Sequence, residues 1–282
     1  MPDGIQQPVP PAAVVSQAPT RPTLHELGDD LTRIPPFRRW LSVILPFAWF
    51  VGYFALAAHG LWVSAVLCLV ALSFVTYGSV SHDLVHRTLG LPRRLNDFLL
   101  SAIELLALRS GTAYRLAHLH HHRRYPHEDD VEGAAARLSM VGALIEGLRY
   151  QLKLFAWAWA NNPRRRPRLA LEGGLILAGY LASVAALPWT IVPLVYAALM
   201  TAGAWIIPLI TSYIPHDPER EDELRQTRAF RGRVLSVLAL KHLYHLEHHL
   251  YPAVPHHNWP ELARRLEPFF RATGVRPLRL WF

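Results

Sequence analysis

The chain of 282 residues holds 16 histidines, and most fall in three short clusters. "HDLVH" sets His82 and His86 at i, i+4; "HLHHH" holds His118, His121 and His122 at i, i+3, i+4; "HLEHH" holds His245, His248 and His249 at the same spacing, near the C-terminus. On a helix these spacings turn side chains to one face, close enough to share a metal ion. Imidazole suits iron, zinc, copper and nickel. One cluster of this kind is a weak signal, because surface histidine pairs are common. Three clusters with helical spacing in one chain are a strong one. Eight ligands exceed the four of a zinc site and suit two metal ions with open positions.

A ligating histidine usually donates its second N–H to a carboxylate or carbonyl. Asp83, Asp129, Asp130, Asp217 and Glu247 are placed for this, Asp83 and Asp217 foremost. His120 points away from the stripe of its cluster, and His242 lies one turn before His245 as a lesser ligand candidate. His256 and His257 follow Pro255, outside the helix; His25 and His127 read as loop residues and His59 as an interfacial one. The single cysteine, Cys68, excludes a disulfide framework and a cysteine-based zinc or iron–sulfur site. "HLEHH" also lacks the HExxH order of a metalloprotease.

The elements that must carry these residues follow from charge. No Asp, Glu, Lys or Arg occurs from residue 40 to 82 or from 173 to 216. Each window is long enough for two membrane spans of about 20 residues. The spans are expected at 41–58, 61–79, 174–187 and 190–213, with tight turns near His59-Gly60 and Pro188-Trp189. All 29 Lys and Arg residues lie before, between or after the windows. By the positive-inside rule, both termini, the long middle segment and the histidine clusters are cytoplasmic. Residues 95–108 and 140–160 are apolar with scattered charges, as expected of interfacial helices. "NNPRRRPR", at 161–168, reads as a basic topology signal before the third span; no nucleic-acid module surrounds it. Residues 1–32 are expected to be a disordered, Pro-rich tail without the apolar core of a signal peptide. Residues 33–282 then form a single domain. The fold class is all-α integral membrane, with four transmembrane helices in two hairpins, interfacial helices and a cytoplasmic His-rich cap.

The pattern HDxxH, HxxHH, HxxHH with two apolar hairpins resembles the membrane fatty acid desaturase/hydroxylase superfamily, which includes acyl desaturases and β-carotene hydroxylases and ketolases. The likeness runs from about residue 40 to the end and is close in "YHLEHHLYPAVPHHNWPEL", at 244–262. It implies two iron ions that use O2, with His82, His86, His118, His121, His122, His245, His248 and His249 as ligands and no catalytic residue beyond them. The family often has a further ligand after the fourth span, and His216 occupies that place. Desaturases of the stearoyl type carry an Asn near it; this chain has Ser212 one turn before His216.

The chemistry implied is oxidation of unactivated C–H bonds, which side chains alone cannot perform. The sequence has no flavin fingerprint, haem-attachment motif or cysteine cluster, so electrons must come from an external ferredoxin- or cytochrome-type donor. The implied substrate is an acyl lipid in the bilayer. A carotenoid β-ring hydroxylase or ketolase is the alternative, because "YIPHDPE" and the tail at 244–262 also resemble ring oxygenases and no cytochrome domain is fused. A membrane metal transporter is a remote alternative. Transporters place ionisable ligands within their spans, whereas these windows hold little beyond His59, Ser, Thr and Tyr.

Overall fold

A computed structural model describes residues 19–220, 222–232 and 243–279 of the chain. Its helices in chain order are α1 (Leu24–Leu27), α2 (Pro36–Ala58), α3 (Trp62–Val75), α4 (Ser81–His86), α5 (Arg93–Leu106) and α6 (Gly111–Arg124). They continue with α7 (Met140–Gly147), α8 (Tyr150–Asn161), α9 (Arg166–Ala185), α10 (Val192–Ala204), α11 (His245–Leu250) and α12 (Trp259–Ala272). Among the described residues, four helical runs are long and apolar enough to cross a membrane: Asp29–Ala58, Trp62–His86, Pro163–Ala185 and Val192–Tyr213. They are the two hairpins expected from the charge-free windows. Gly60, with φ +73°, makes the first turn; a left-handed residue costs glycine nothing.

Two of the four runs are not plain α-helices at their inner ends. The second passes through a π-turn, Thr76–Val80, into α4, and the fourth through a π-turn, Leu209–Tyr213. Each turn lies immediately before a histidine of interest, His82 and His216, and the extra residue re-aims the helix there. The single interfacial helix expected over 140–160 is instead two, α7 and α8, broken at Leu148–Arg149.

The expected helical fold stands with one short addition: strands β1 (Phe230–Arg231) and β2 (Leu278–Arg279) pair in parallel. One further expectation needs correction. Residues 23–32, expected within the disordered tail, are ordered: Thr23 caps α1 in a capping box with Glu26, and Leu27 and Leu31 bury against Leu246, Leu262 and Leu266. Leu24, Leu27 and Leu31 recur at helical spacing, and that stripe has a core to cover. Residues 1–18 of the expected tail, and His242, lie outside the described residues.

The cap is built from α1, the β-pair, α11 and α12 around Leu246, Leu250, Trp259 and Phe270. Asp83, on the second span, clamps it: the carboxylate accepts from His256 N (3.0 Å) and His256 Nδ1 (2.6 Å).

Candidate metal centre

The nine histidines expected as ligands come together in two groups. His82, His86, His118, His122 and His248 form one; His121, His216, His245 and His249 form the other. Within each group the ligand atoms all lie within 4.8 Å of one another. Both HxxHH clusters are helical, on α6 and α11, and they divide reciprocally. The second cluster sends its i and i+4 rings to the first group and its i+3 ring to the second. The third cluster does the reverse.

Each supporting element is pinned. Ser110 caps α6 by accepting from Ala113 N. Gly111 lets that end approach α5, for a Cβ there would sit 2.8 Å from Leu100 O. Glu172, buried on the third span, accepts from Ser110 Oγ, Thr112 N and Thr112 Oγ1 and so holds the same turn. The last carbonyls of α4 are taken by Asn96 Nδ2 (to Leu84 O, 2.7 Å) and by the Arg115 guanidinium, which donates to Leu84 O and Val85 O. In α11 the buried Glu247 faces away from the rings and pairs with Arg231 on β1 at 2.6 Å.

The rings meet through Nε2. His248 Nε2 lies 3.0 Å from His82 Nε2 and 2.8 Å from His122 Nε2, which is 3.1 Å from His118 Nε2. In the second group, His216 Nε2 lies 3.2 Å from His121 Nε2, 3.2 Å from His245 Nε2 and 3.3 Å from His249 Nε2. Three rings are anchored through Nδ1 instead: His118 to Glu132 (3.0 Å), His121 to Asp130 (2.7 Å) and His216 to Ser212 O (2.9 Å). An Nδ1 that donates leaves a neutral ring with one Nε2 lone pair. The lone pair of His216 thus faces three other ring nitrogens, more than it can serve by hydrogen bonding. His86 Nε2 is buried with no hydrogen-bond partner among the described residues. A cation shared by each group satisfies both observations, so the donor set fits two metal ions.

Electrostatics point the same way. Burial, reinforced by neighbouring imidazoles, pushes His122, His216, His248 and His249 well below the ordinary histidine range. That direction favours the neutral ring, the form that ligates. At His121 burial acts downward too, but the Asp130 carboxylate outweighs it and raises the ring, as a carboxylate behind a metal-binding imidazole does.

The supporting acids are not the two ranked foremost. Asp83 serves His256 rather than a clustered ring, and through it Trp259, whose ring lies 5.4 Å from that of His82 and 5.0 Å from that of His248. The Asp217 carboxylate accepts from Glu219 N and has no hydrogen bond to a histidine among the described residues. Asp130, named from the sequence, and Glu132, missed there, back His121 and His118. Nothing in "EDDVEG" marks Glu132 as different from a solvated loop acid. Only the turn in which Asp130 Oδ1 accepts from Glu132 N and Gly133 N carries it inward. His120 is half-buried, its ring 4.7 Å from that of Trp157 and its Nε2 3.2 Å from Asp129 O.

An apolar cleft of about 440 Å³ runs between the second and fourth spans, lined by Leu69, Val70, Leu199 and Ile206 among others. Its inner end is Tyr77, Gly78 and Thr211, which also line a small space beside His82, His118, His121 and His245. The charge that borders the cleft, Arg109, is tied to buried Glu104 at 2.8 Å.

No curated protein and no solved structure matches the chain. The family model for fatty acid desaturases matches residues 60–281, from the first turn to the C-terminal strand. With that match over most of its length, and with apolar hairpins that end in paired histidine groups, the chain belongs to the fatty acid desaturase family.

Proposed function

We propose that the protein is an O2-dependent di-iron oxidoreductase that oxidises unactivated C–H bonds of an acyl lipid. The observation that carries this reading is the pair of histidine groups gathered at the ends of membrane spans. His82, His86, His118, His122 and His248 would hold one iron; His121, His216, His245 and His249 the other. Two irons bound there supply the redox chemistry for hydrogen abstraction that no side chain has.

The chain's own residues do the rest. Glu132, Asp130 and Ser212 O fix which ring nitrogen faces the metal. Trp259 closes one side of the first group. Tyr77 and Thr211 stand between the histidines and the apolar cleft, which excludes water and aligns a hydrocarbon from the bilayer. Electrons come from an external ferredoxin- or cytochrome-type donor. The distribution of Lys and Arg supports both termini and the histidines being cytoplasmic, and the packing of Leu27 and Leu31 into the cap supports a single domain that takes in residues 24–32 as well as 33–282.

The cleft also favours a second reading. It offers no unpaired charge to a polar head, so an apolar end can lead, as the β-ring of a carotenoid would. Mass spectrometry of lipid extracts from a host making both acyl lipids and β-carotene separates the two, with His248→Ala as control. Acyl chains lacking two hydrogens support desaturation. Oxygen added to the carotenoid ring, with acyl chains unchanged, supports ring oxidation. If the wild type and the His248→Ala extracts match in both classes while a donor is co-expressed, the reading fails.

A further inference from the structure

The arginines of "NNPRRRPR" take no part in the metal centre, yet two of them enter a built cleft. The second span ends at His86 and the third begins at Pro163. Where these ends meet, Arg87, Arg115, Arg165 and Arg168 line one small, partly open cavity of about 40 Å³ with Asp97 and Ser101. The carboxylate of Asp97 is shared by Arg87 (3.1 Å) and Arg115. Arg168 donates to Ser101 Oγ (2.8 Å) and lies 3.5 Å from buried Glu172. Arg165 has no ion-pair partner among the described residues. Four guanidiniums therefore face two carboxylates, which leaves two positive charges beside one small cavity. Arg165 is itself exposed, but like charges gathered on one cleft repel one another unless a counter-charge joins them.

The surroundings say what kind. Arg168, Leu171 and Leu175 lie at i, i+3 and i+7 on one face of α9, and Leu171 and Leu175 are exposed, as is Phe98 beside Asp97. Guanidinium forks match the oxygens of a phosphate, and apolar surface beneath them matches acyl chains. Basic pockets between spanning helices at this depth recognise anionic head groups. We propose that this cleft binds a phosphate group, with an anionic phospholipid as its source in the membrane. The cavity has room for one phosphate group, and the exposed leucines beside it suit acyl chains better than a polar nucleotide or peptide. Because Arg115 also holds the Leu84 and Val85 carbonyls between His82 and His86, an occupant would brace the first histidine pair from outside the site.

The test uses the full chain in nanodiscs and in detergent. Native mass spectrometry should show one phosphatidylglycerol retained per chain in preference to phosphatidylcholine. Arg165→Gln, which breaks no contact, should loosen it roughly fivefold, whereas Arg220→Gln, at a distant exposed site, should not. In a parallel arm, inorganic phosphate is titrated in a melting assay. A stabilisation that Arg165→Gln abolishes, with both lipids retained equally, supports the phosphate site and assigns it to a soluble source. Equal retention of both lipids with no phosphate effect, or a preference untouched by both Arg165→Gln and Arg168→Lys, overturns the proposal.

Discussion

At the scale of single residues, the histidines were legible and their supports were not. Spacing at i, i+3 and i+4 is local information, and every ring it singled out in the three clusters sits in one of the two groups. Which acid stands behind which ring depends on a turn many residues away, and the sequence favoured Asp83 and Asp217 for being next to histidines in the chain. Adjacency misleads there, because neighbours along a helix point to different faces. A direct comparison follows. Asp130→Asn and Glu132→Gln should each weaken metal binding by roughly 10–100-fold, read by competition with a chelator, while Asp217→Asn should leave it unchanged. Equal behaviour of all three would deny the carboxylates their part in fixing the rings.

At the scale of elements, the four spans were readable because excluding charge from a bilayer is a strong constraint on composition. The π-turns were not, since one extra residue per turn leaves no compositional trace. Nor was the role of Glu172, an acid at the start of an apolar run that sequence alone assigns to the interface. It holds the first turn of α6 through Ser110 and Thr112. Glu172→Leu should therefore leave those buried groups unsatisfied and destabilise the fold by about 1–3 kcal/mol, visible as a lower melting temperature in detergent with lost metal. A variant that melts and loads like the wild type would move the burden of holding α6 to Ser110 and Gly111 alone. Packing decided the short α1 as well: its leucines are too few to fold by themselves, and only the cap behind them turns a Pro-rich approach into structure.

At the scale of the molecule, the hairpin turns and the histidines should lie on opposite membrane faces. A cysteine placed at Trp189, which is 83% exposed in the second turn, in a Cys68→Ser background should react with an impermeant maleimide from outside intact cells. One placed at His127 should react only after lysis. Labelling of both in intact cells would break the topology. The reciprocal division of α6 and α11 between the two groups reaches further. Neither helix can be set correctly for one ion without being set for the other, so the sites cannot fill as strangers. Ferrous titration of the apoprotein should be sigmoidal, with the singly loaded chain scarce at every concentration. His248→Ala, nominally a first-group change, should lower occupancy of both sites by elemental analysis while the protein still inserts. Loading of this kind would be all-or-none, and a cell short of the metal would hold fully armed and empty copies, with few between.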